Sequence, residues 1–220
     1  MKPLNVKEAF YTLQGEGDRA GRASVFIRFA KCNLWNGKES GRAAAVCQFC
    51  DTDITGTDGM NGGQYSPQAL LELALQLWPS TSSDNATPYV VFTGGEPALQ
   101  LSDSLVALFQ SAGFECAVES NGTLPLPSNL DWECISPKGK SEVIITECDE
   151  LKLVYPQSDI QPEDVSHIKA KHYYLSPMAD FGVEQKGMII RENMAMATQY
   201  CLDNPQWKMS LQTHKLLGID

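Results

Sequence analysis

Three of the seven cysteines fall within one stretch, "KCNLWNGKESGRAAAVCQFCDT" (31–52), at positions 32, 47 and 50. A C-x2-C pair lets two thiolates converge on one metal centre, and the loop before it can fold back to deliver a third. Structural zinc asks for four protein ligands. A 4Fe–4S cluster has four iron positions and can leave one open to a cofactor or substrate. The three histidines, His167, His172 and His214, all lie far along the chain from this loop. Spacing alone therefore leaves zinc and an iron–sulfur cluster level, both ahead of unrelated buried thiols. Cys116, Cys134 and Cys201 sit in apolar strand- or helix-like patterns and Cys148 follows "IIT". These four read as structural thiols.

A second candidate is "FTGGEP" (92–97), an apolar run that ends in two glycines and an acid. Glycines let backbone come close to a ligand, so that main-chain groups can bond an amino-acid ammonium or carboxylate. Further polar groups follow apolar runs at Glu119-Ser120-Asn121, Ser136-Pro137-Lys138, Ser176 and Gln212.

The elements that must position these residues are legible from periodicity. Strands are predicted over 25–32, 89–97, 114–122, 132–139, 150–156, 172–178 and 207–214. Helices are predicted over 66–78, with Ser66 as N-cap and Pro67 first in the helix, over 101–113, closed by Gly113, and over 189–205. In this last helix residues 194, 197, 201 and 202 form an apolar face, and "MAM" reads as core filler. The polar, proline-flanked stretch 79–88 reads as a surface loop. Strands mixed with helices imply parallel βαβ units, whose sites lie at the C-terminal strand ends. The cysteine loop follows a strand in a chain whose other strand ends are also polar. That position tips the balance toward a cluster. With 220 residues the chain is short for an eight-unit barrel. The expected class is α/β, a partial barrel of parallel strands in one domain over 1–220, with an insert at 33–46 inside the cysteine loop. The insert carries Trp35, Lys38, Glu39 and Arg42, residue types suited to meeting a partner.

The net charge of −10 repels a phosphate backbone, which argues against a sequence-independent nucleic-acid binder. No apolar run reaches the eighteen or so residues of a membrane span, and "MKPLNVKEAFY" lacks signal-peptide features. The expected location is the cytoplasm, where thiols stay reduced and a disulfide framework is a poor explanation for seven cysteines.

Taken together, "FYTLQGEG" (10–17), "FIRFAKCNLW" (26–35), "CQFCDT" (47–52), "FTGGEP" (92–97), "ESNG" (119–122), "ISPK" (135–138) and "SLQTHKLLGI" (210–219) resemble one family. The chain is similar to the 7-carboxy-7-deazaguanine synthases of queuosine biosynthesis, in the radical S-adenosylmethionine superfamily. C-x14-C-x2-C stands where that superfamily usually has C-x3-C-x2-C. The resemblance implies that Cys32, Cys47 and Cys50 bind three irons of a 4Fe–4S cluster and that S-adenosylmethionine chelates the fourth. An electron from the cluster then cleaves the cofactor to a 5′-deoxyadenosyl radical, which takes hydrogen from C6 of 6-carboxy-5,6,7,8-tetrahydropterin. The ring contracts with loss of ammonia to 7-carboxy-7-deazaguanine.

By the same resemblance Phe49, Cys50, Asp51, Gly94, Gly95, Glu96, Ser136, Pro137, Lys138 and Ser176 contact S-adenosylmethionine. Leu13, Gln14, Gly15, Arg28, Thr93 and Asp220 meet the pterin, Arg28 at its carboxylate. Thr52 ligates Mg2+, which favours oxygen donors. A flavodoxin-type reductant and a homodimer are the implied partners. Glu16 and His214 fall in matched motifs without an assigned role. Two other readings compete: a related radical enzyme such as a glycyl-radical activase, and a zinc-stabilised interaction module.

Overall fold

The structure is a computed structural model that describes residues 3–79, 86–179 and 191–219. Most of the 79–88 loop, the first two residues of the helix predicted over 189–205, and Asp220 lie outside the described residues.

Among the described residues nine strands form one sheet: β1 (Leu4–Leu13), β2 (Ala23–Phe29), β3 (Gly63–Tyr65), β4 (Tyr89–Gly94), β5 (Glu115–Ser120), β6 (Trp132–Ile135), β7 (Glu147–Tyr155), β8 (Lys169–Pro177) and β9 (Trp207–Met209). Their order is β3-β1-β2-β4-β5-β6-β7-β8-β9. From β2 onward every pairing is parallel, and each new strand adds beside the last. That is the winding of an α/β barrel, here left incomplete. β1 pairs antiparallel with both β2 and β3 and extends the sheet at its first edge.

Among the described residues four α-helices accompany the strands: α1 (Pro67–Leu77), α2 (Asp103–Ser111), α3 (Arg191–Asp203) and α4 (Thr213–Leu217). The side-chain oxygens of Ser66 and Ser102 accept from the Ala69 and Leu105 N–H groups, which caps α1 and α2. Leu70, Leu71 and Ala74 of α1, with Leu105, Val106 and Phe109 of α2, pack on Val25, Ile27, Val90, Phe92, Cys116 and Val118. Each large apolar side chain buried this way contributes roughly 1.5–3 kcal/mol. A second core gathers Ile135, Leu151, Leu153 and Leu175 under Ala197 of α3 and Trp207.

Because side chains alternate across a strand, the residues between these face the other way. On that inner face Tyr89, Val91, Ala117, Trp132 and Cys134 pack together. Further along the same strands lie Thr93, Glu119, Ser136, Lys152 and Ser176, which line a cavity. The sheet thus has an apolar inner floor and a polar inner mouth.

Three expectations change. The strand predicted over 207–214 stops at Met209, and Thr213 opens α4 instead, because the Thr213 N–H and Oγ1 both donate to Gly15 O. The predicted apolar face of the last helix is only partly covered: Ala197 is buried, but Met194 and Leu202 are exposed. Alternation of strand and helix is also incomplete, since β5 to β6 and β6 to β7 connect without a helix. Cys116, Cys134 and Cys148 are buried as expected, and Cys201 is half-buried.

Candidate active site

The mouth of the sheet encloses a cavity of about 460 Å³. One wall is the cysteine loop. Cys32, Cys47 and Cys50 all line the cavity. Among the described residues no three Cys, His, Asp or Glu side chains converge on a single-ion site. A cluster sets its thiolates on different irons, so it does not need them to meet at a point. Cys47 and Cys50 share one hydrogen bond, which lowers Cys50 to about 6 and pushes Cys47 far up. Burial pushes the Cys32 thiol up. Three thiols around one cavity, one of them already inclined to ionise, suit a thiolate-bound cluster.

The insert builds this wall from within. Its 3-10 turn, Glu39–Ala44, points Arg42 inward. The Arg42 guanidinium donates to Gln48 O at 2.9 Å and Cys50 O at 3.0 Å, pairs with Glu39, and lies over the buried Trp35 ring. Trp35 and Arg42 thus brace the C-x2-C segment; of the four insert residues expected at a partner surface, only Lys38 and Glu39 are exposed. Behind the cysteines, Lys7 is buried and holds Asp53, Asp58 and Thr55 O. It thereby ties down the segment that follows Thr52.

The glycine pair is required by close approach. A Cβ on Gly94, whose φ is +143°, would stand 2.3 Å from Phe29 O. One on Gly95 would stand 2.1 Å from Lys31 O and 2.9 Å from Cys32 Cβ. The end of β4 therefore rests directly on the start of the cysteine loop. The Gly95 N–H is taken by Phe29 O, which leaves its carbonyl as the group able to accept from an ammonium.

Of the residues expected to touch cofactor or substrate, Leu13, Gln14, Gly15, Arg28, Phe49, Asp51, Thr52, Thr93, Gly94, Gly95, Ser136, Lys138 and Ser176 line the same cavity. Glu96 and Pro137 do not. The Glu96 carboxylate is fully buried and accepts from Ser120 Oγ, the Asn121 N–H and the Ala98 N–H. It bridges the ends of β4 and β5 and does not itself line the cavity. Arg28 donates through Nε to Glu8 at 2.7 Å, so its terminal nitrogens remain for the cavity.

The opposite wall joins distant segments. Thr213 bonds Gly15 O, Ser210 Oγ accepts from the Gly17 N–H, and Gln212 donates to Glu16. His214 packs so closely on Gly15 that a Cβ there would lie 2.0 Å from its Nδ1. Lys215 reaches across to Asp51 at 2.8 Å. Between these stands Lys152 of β7, 2.7 Å from Glu16 and 3.4 Å from Glu119.

Sequence comparison places this geometry among known proteins. The chain is 50% identical over 216 residues to a 7-carboxy-7-deazaguanine synthase of Bordetella pertussis, covering 98% of each chain. It is 50% identical over 214 residues to one of Bradyrhizobium diazoefficiens, covering 97% of this chain and 98% of that one. At 34% identity it matches another, from Bacteroides thetaiotaomicron, over 97% of both. The chain belongs to the 7-carboxy-7-deazaguanine synthase family. A crystal structure of QueE from Escherichia coli shares the fold, with TM-score 0.69 at 24% identity over 96% of this chain and 94% of that one. No protein-family model matches.

In this member of the 7-carboxy-7-deazaguanine synthase family, sequence reasoning passed over Lys152 and left Glu16 and His214 without a role. One signal was present. Glu150 and Lys152 alternate with leucines in "ELKLVYP", so both charges must project from the inner face of a buried strand.

Proposed function

We propose that this chain is a radical S-adenosylmethionine lyase that converts 6-carboxy-5,6,7,8-tetrahydropterin to 7-carboxy-7-deazaguanine and ammonia, for queuosine biosynthesis. The observation that carries this reading is convergence: the cysteine loop, the strand-end glycines, the 13–17 segment and the 210–215 segment all face one cavity.

The cluster and S-adenosylmethionine supply, when bound, the radical chemistry; the protein supplies orientation and a dry site. Cys32, Cys47 and Cys50 hold the cluster. The Gly95 carbonyl takes the cofactor's ammonium, while Phe49, Asp51, Gly94, Ser136, Lys138 and Ser176 frame the rest of it. Glu96 acts one step back, by locking the ends of β4 and β5. Arg28 receives the pterin carboxylate through its terminal nitrogens, with Glu8 fixing its Nε. Leu13, Gln14, Gly15 and Thr93 seat the ring system, and Asp220, which lies outside the described residues, is assigned to the same substrate by resemblance alone. Thr52 would hold Mg2+ through an oxygen, the donor type that ion favours. A flavodoxin-type reductant, a homodimer and a cytoplasmic setting complete the reading. No helix in the described residues is long and apolar enough to cross a membrane.

The substrate and the two products balance without net oxidation, so the overall conversion needs no stoichiometric oxidant. The test is anaerobic reconstitution with iron and sulfide, then assay with S-adenosylmethionine, reductant, Mg2+ and 6-carboxytetrahydropterin. The expected result is a brown protein that forms 7-carboxy-7-deazaguanine. A colourless chain that binds one zinc and never cleaves S-adenosylmethionine would overturn the proposal.

A further inference from the structure

Gln157, two residues beyond the end of β7, is a polar side chain that is only 3% exposed, yet it does not line the cavity. Its side chain bonds main-chain groups alone. Oε1 accepts from the Gly139 N–H at 2.9 Å. Nε2 donates to Val154 O at 2.8 Å and, at a longer 3.5 Å, to Pro137 O. Its own carbonyl accepts from Gln161 Nε2 at 2.8 Å, beside the 3-10 turn Pro162–Val165. Pro137 and Gly139 flank Lys138 in the loop that leaves β6. Among the described residues neither the Pro137 carbonyl nor the Gly139 N–H has a main-chain partner. One side chain thus ties this loop to β7 where the β6–β7 ladder has already stopped.

The loop is seated on its other sides too. The Ser136 N–H donates to Ser120 O of β5 at 2.8 Å, and Lys138 Nζ donates to Ser136 Oγ. A Cβ on Gly139, whose φ is +50°, would stand 2.7 Å from Val46 O, one residue before Cys47. Loop 136–139 therefore lies between β5, the cysteine loop and Gln157, and it contributes Ser136 and Lys138 to the cavity lining.

We propose that Gln157 is a positioning residue for S-adenosylmethionine: it holds loop 136–139 in its binding shape, so that Ser136 and Lys138 meet the cofactor already ordered. This rests on the reading of those two residues as cofactor contacts. A ligand that meets a loop already in shape avoids the cost of ordering it. The task suits an amide. The loop presents one N–H and one carbonyl, and a carboxamide carries an acceptor and two donors on one planar group. A carboxylate would match the N–H but turn a second acceptor toward two carbonyls. A methionine side chain would leave these buried groups without partners.

The experiment uses the full-length, cluster-loaded chain. Equilibrium dialysis without reductant, so that nothing is cleaved, reads the Kd for S-adenosylmethionine. Hydrogen exchange reads the Gly139 amide, and steady-state assays read KM for S-adenosylmethionine and for 6-carboxytetrahydropterin separately. Iron content and a cooperative melt serve as folding controls. Gln157→Met should speed exchange at Gly139 and raise both Kd and KM for S-adenosylmethionine at least fivefold. The pterin KM should stay within twofold. A Kd within twofold of the parent overturns the proposal, as does a pterin KM that rises by the same factor, the mark of general loosening. If Gln157→Met does not fold, Gln157→Glu is judged by the same criteria. If neither folds, the parent decides: a Gly139 amide protected before cofactor is added supports the proposal, and one that exchanges freely until then overturns it. A parent that binds no S-adenosylmethionine fails the functional reading instead, and the two failures are distinct.

Discussion

The two walls of the cavity are built on different principles. The thiol wall is one contiguous loop, 31–54, held by main-chain contacts to the ends of β2 and β4 and by two inward cations, Arg42 and Lys7. The carboxylate wall has no contiguous segment. It joins Glu16, Glu119, Lys152 and Gln212, whose contacts span up to 196 residues of chain. The difference teaches how the chain divides its labour. Soft donors sit on a loop that can adjust to a cluster, whereas charged groups sit on or against strands whose geometry is fixed by the sheet. Rigid placement matters more for hydrogen-bond acceptors, which lose strength within a few tenths of an ångström.

The largest effect should come from breaking the thiol wall at its centre. Cys47→Ala should abolish cluster assembly, read as iron per chain and visible absorbance, while Cys201→Ala on α3 should leave both unchanged. Next is the contact beneath that wall. Gly95→Ala places a methyl against Lys31 O, so cluster content should fall severalfold and stability drop by about 1–3 kcal/mol, measured by denaturant unfolding. Arg42→Ala removes the donors to Gln48 O and Cys50 O, leaving carbonyls short of partners at a cost of roughly 1–3 kcal/mol. Its mark should be faster cluster loss on chelation, with substrate KM unmoved.

The carboxylate wall predicts a pH signature. Glu16 is held at about 2, below its unfolded value, despite its burial. Its stabilisation is therefore fully present above roughly pH 5 and is lost as pH falls through about 2. It amounts to a few kcal/mol, on the order of 1.4 for each tenfold loss of proton affinity on folding. Thermal melts between pH 7 and 3 should show a steeper fall for the parent than for Glu16→Gln. The smallest effect lies outside both walls: Ser66→Ala should cost α1 about 1 kcal/mol and leave the site intact.

The same division explains what could be read from the chain. The thiol wall was legible because its chemistry is local: three cysteines in nineteen positions, beside a strand end. β4 was legible because it is buried on both faces and reads as one apolar run. β1 was recognised only as part of a motif. A register shift between Val6 and Glu8 interrupts its alternation, so the period-2 signal breaks where it should be clearest. β3, at three residues, is too short to carry a pattern. Glu96 was grouped with the glycines by adjacency, yet its carboxylate is buried between the ends of β4 and β5. The carboxylate wall could not be read, because nothing local says that residues 16, 119 and 152 meet.

The clasp between residues 13–17 and 210–215 has a consequence for synthesis. The contacts of Gly15 with Thr213 and of Gly17 with Ser210 join residues 198 and 193 positions apart. On the ribosome the cysteine loop emerges early, but its facing wall cannot exist until about residue 215 has cleared the exit. Domains complete their long-range contacts late. The nascent chain thus holds its thiols in an unfinished cleft until those later residues have emerged.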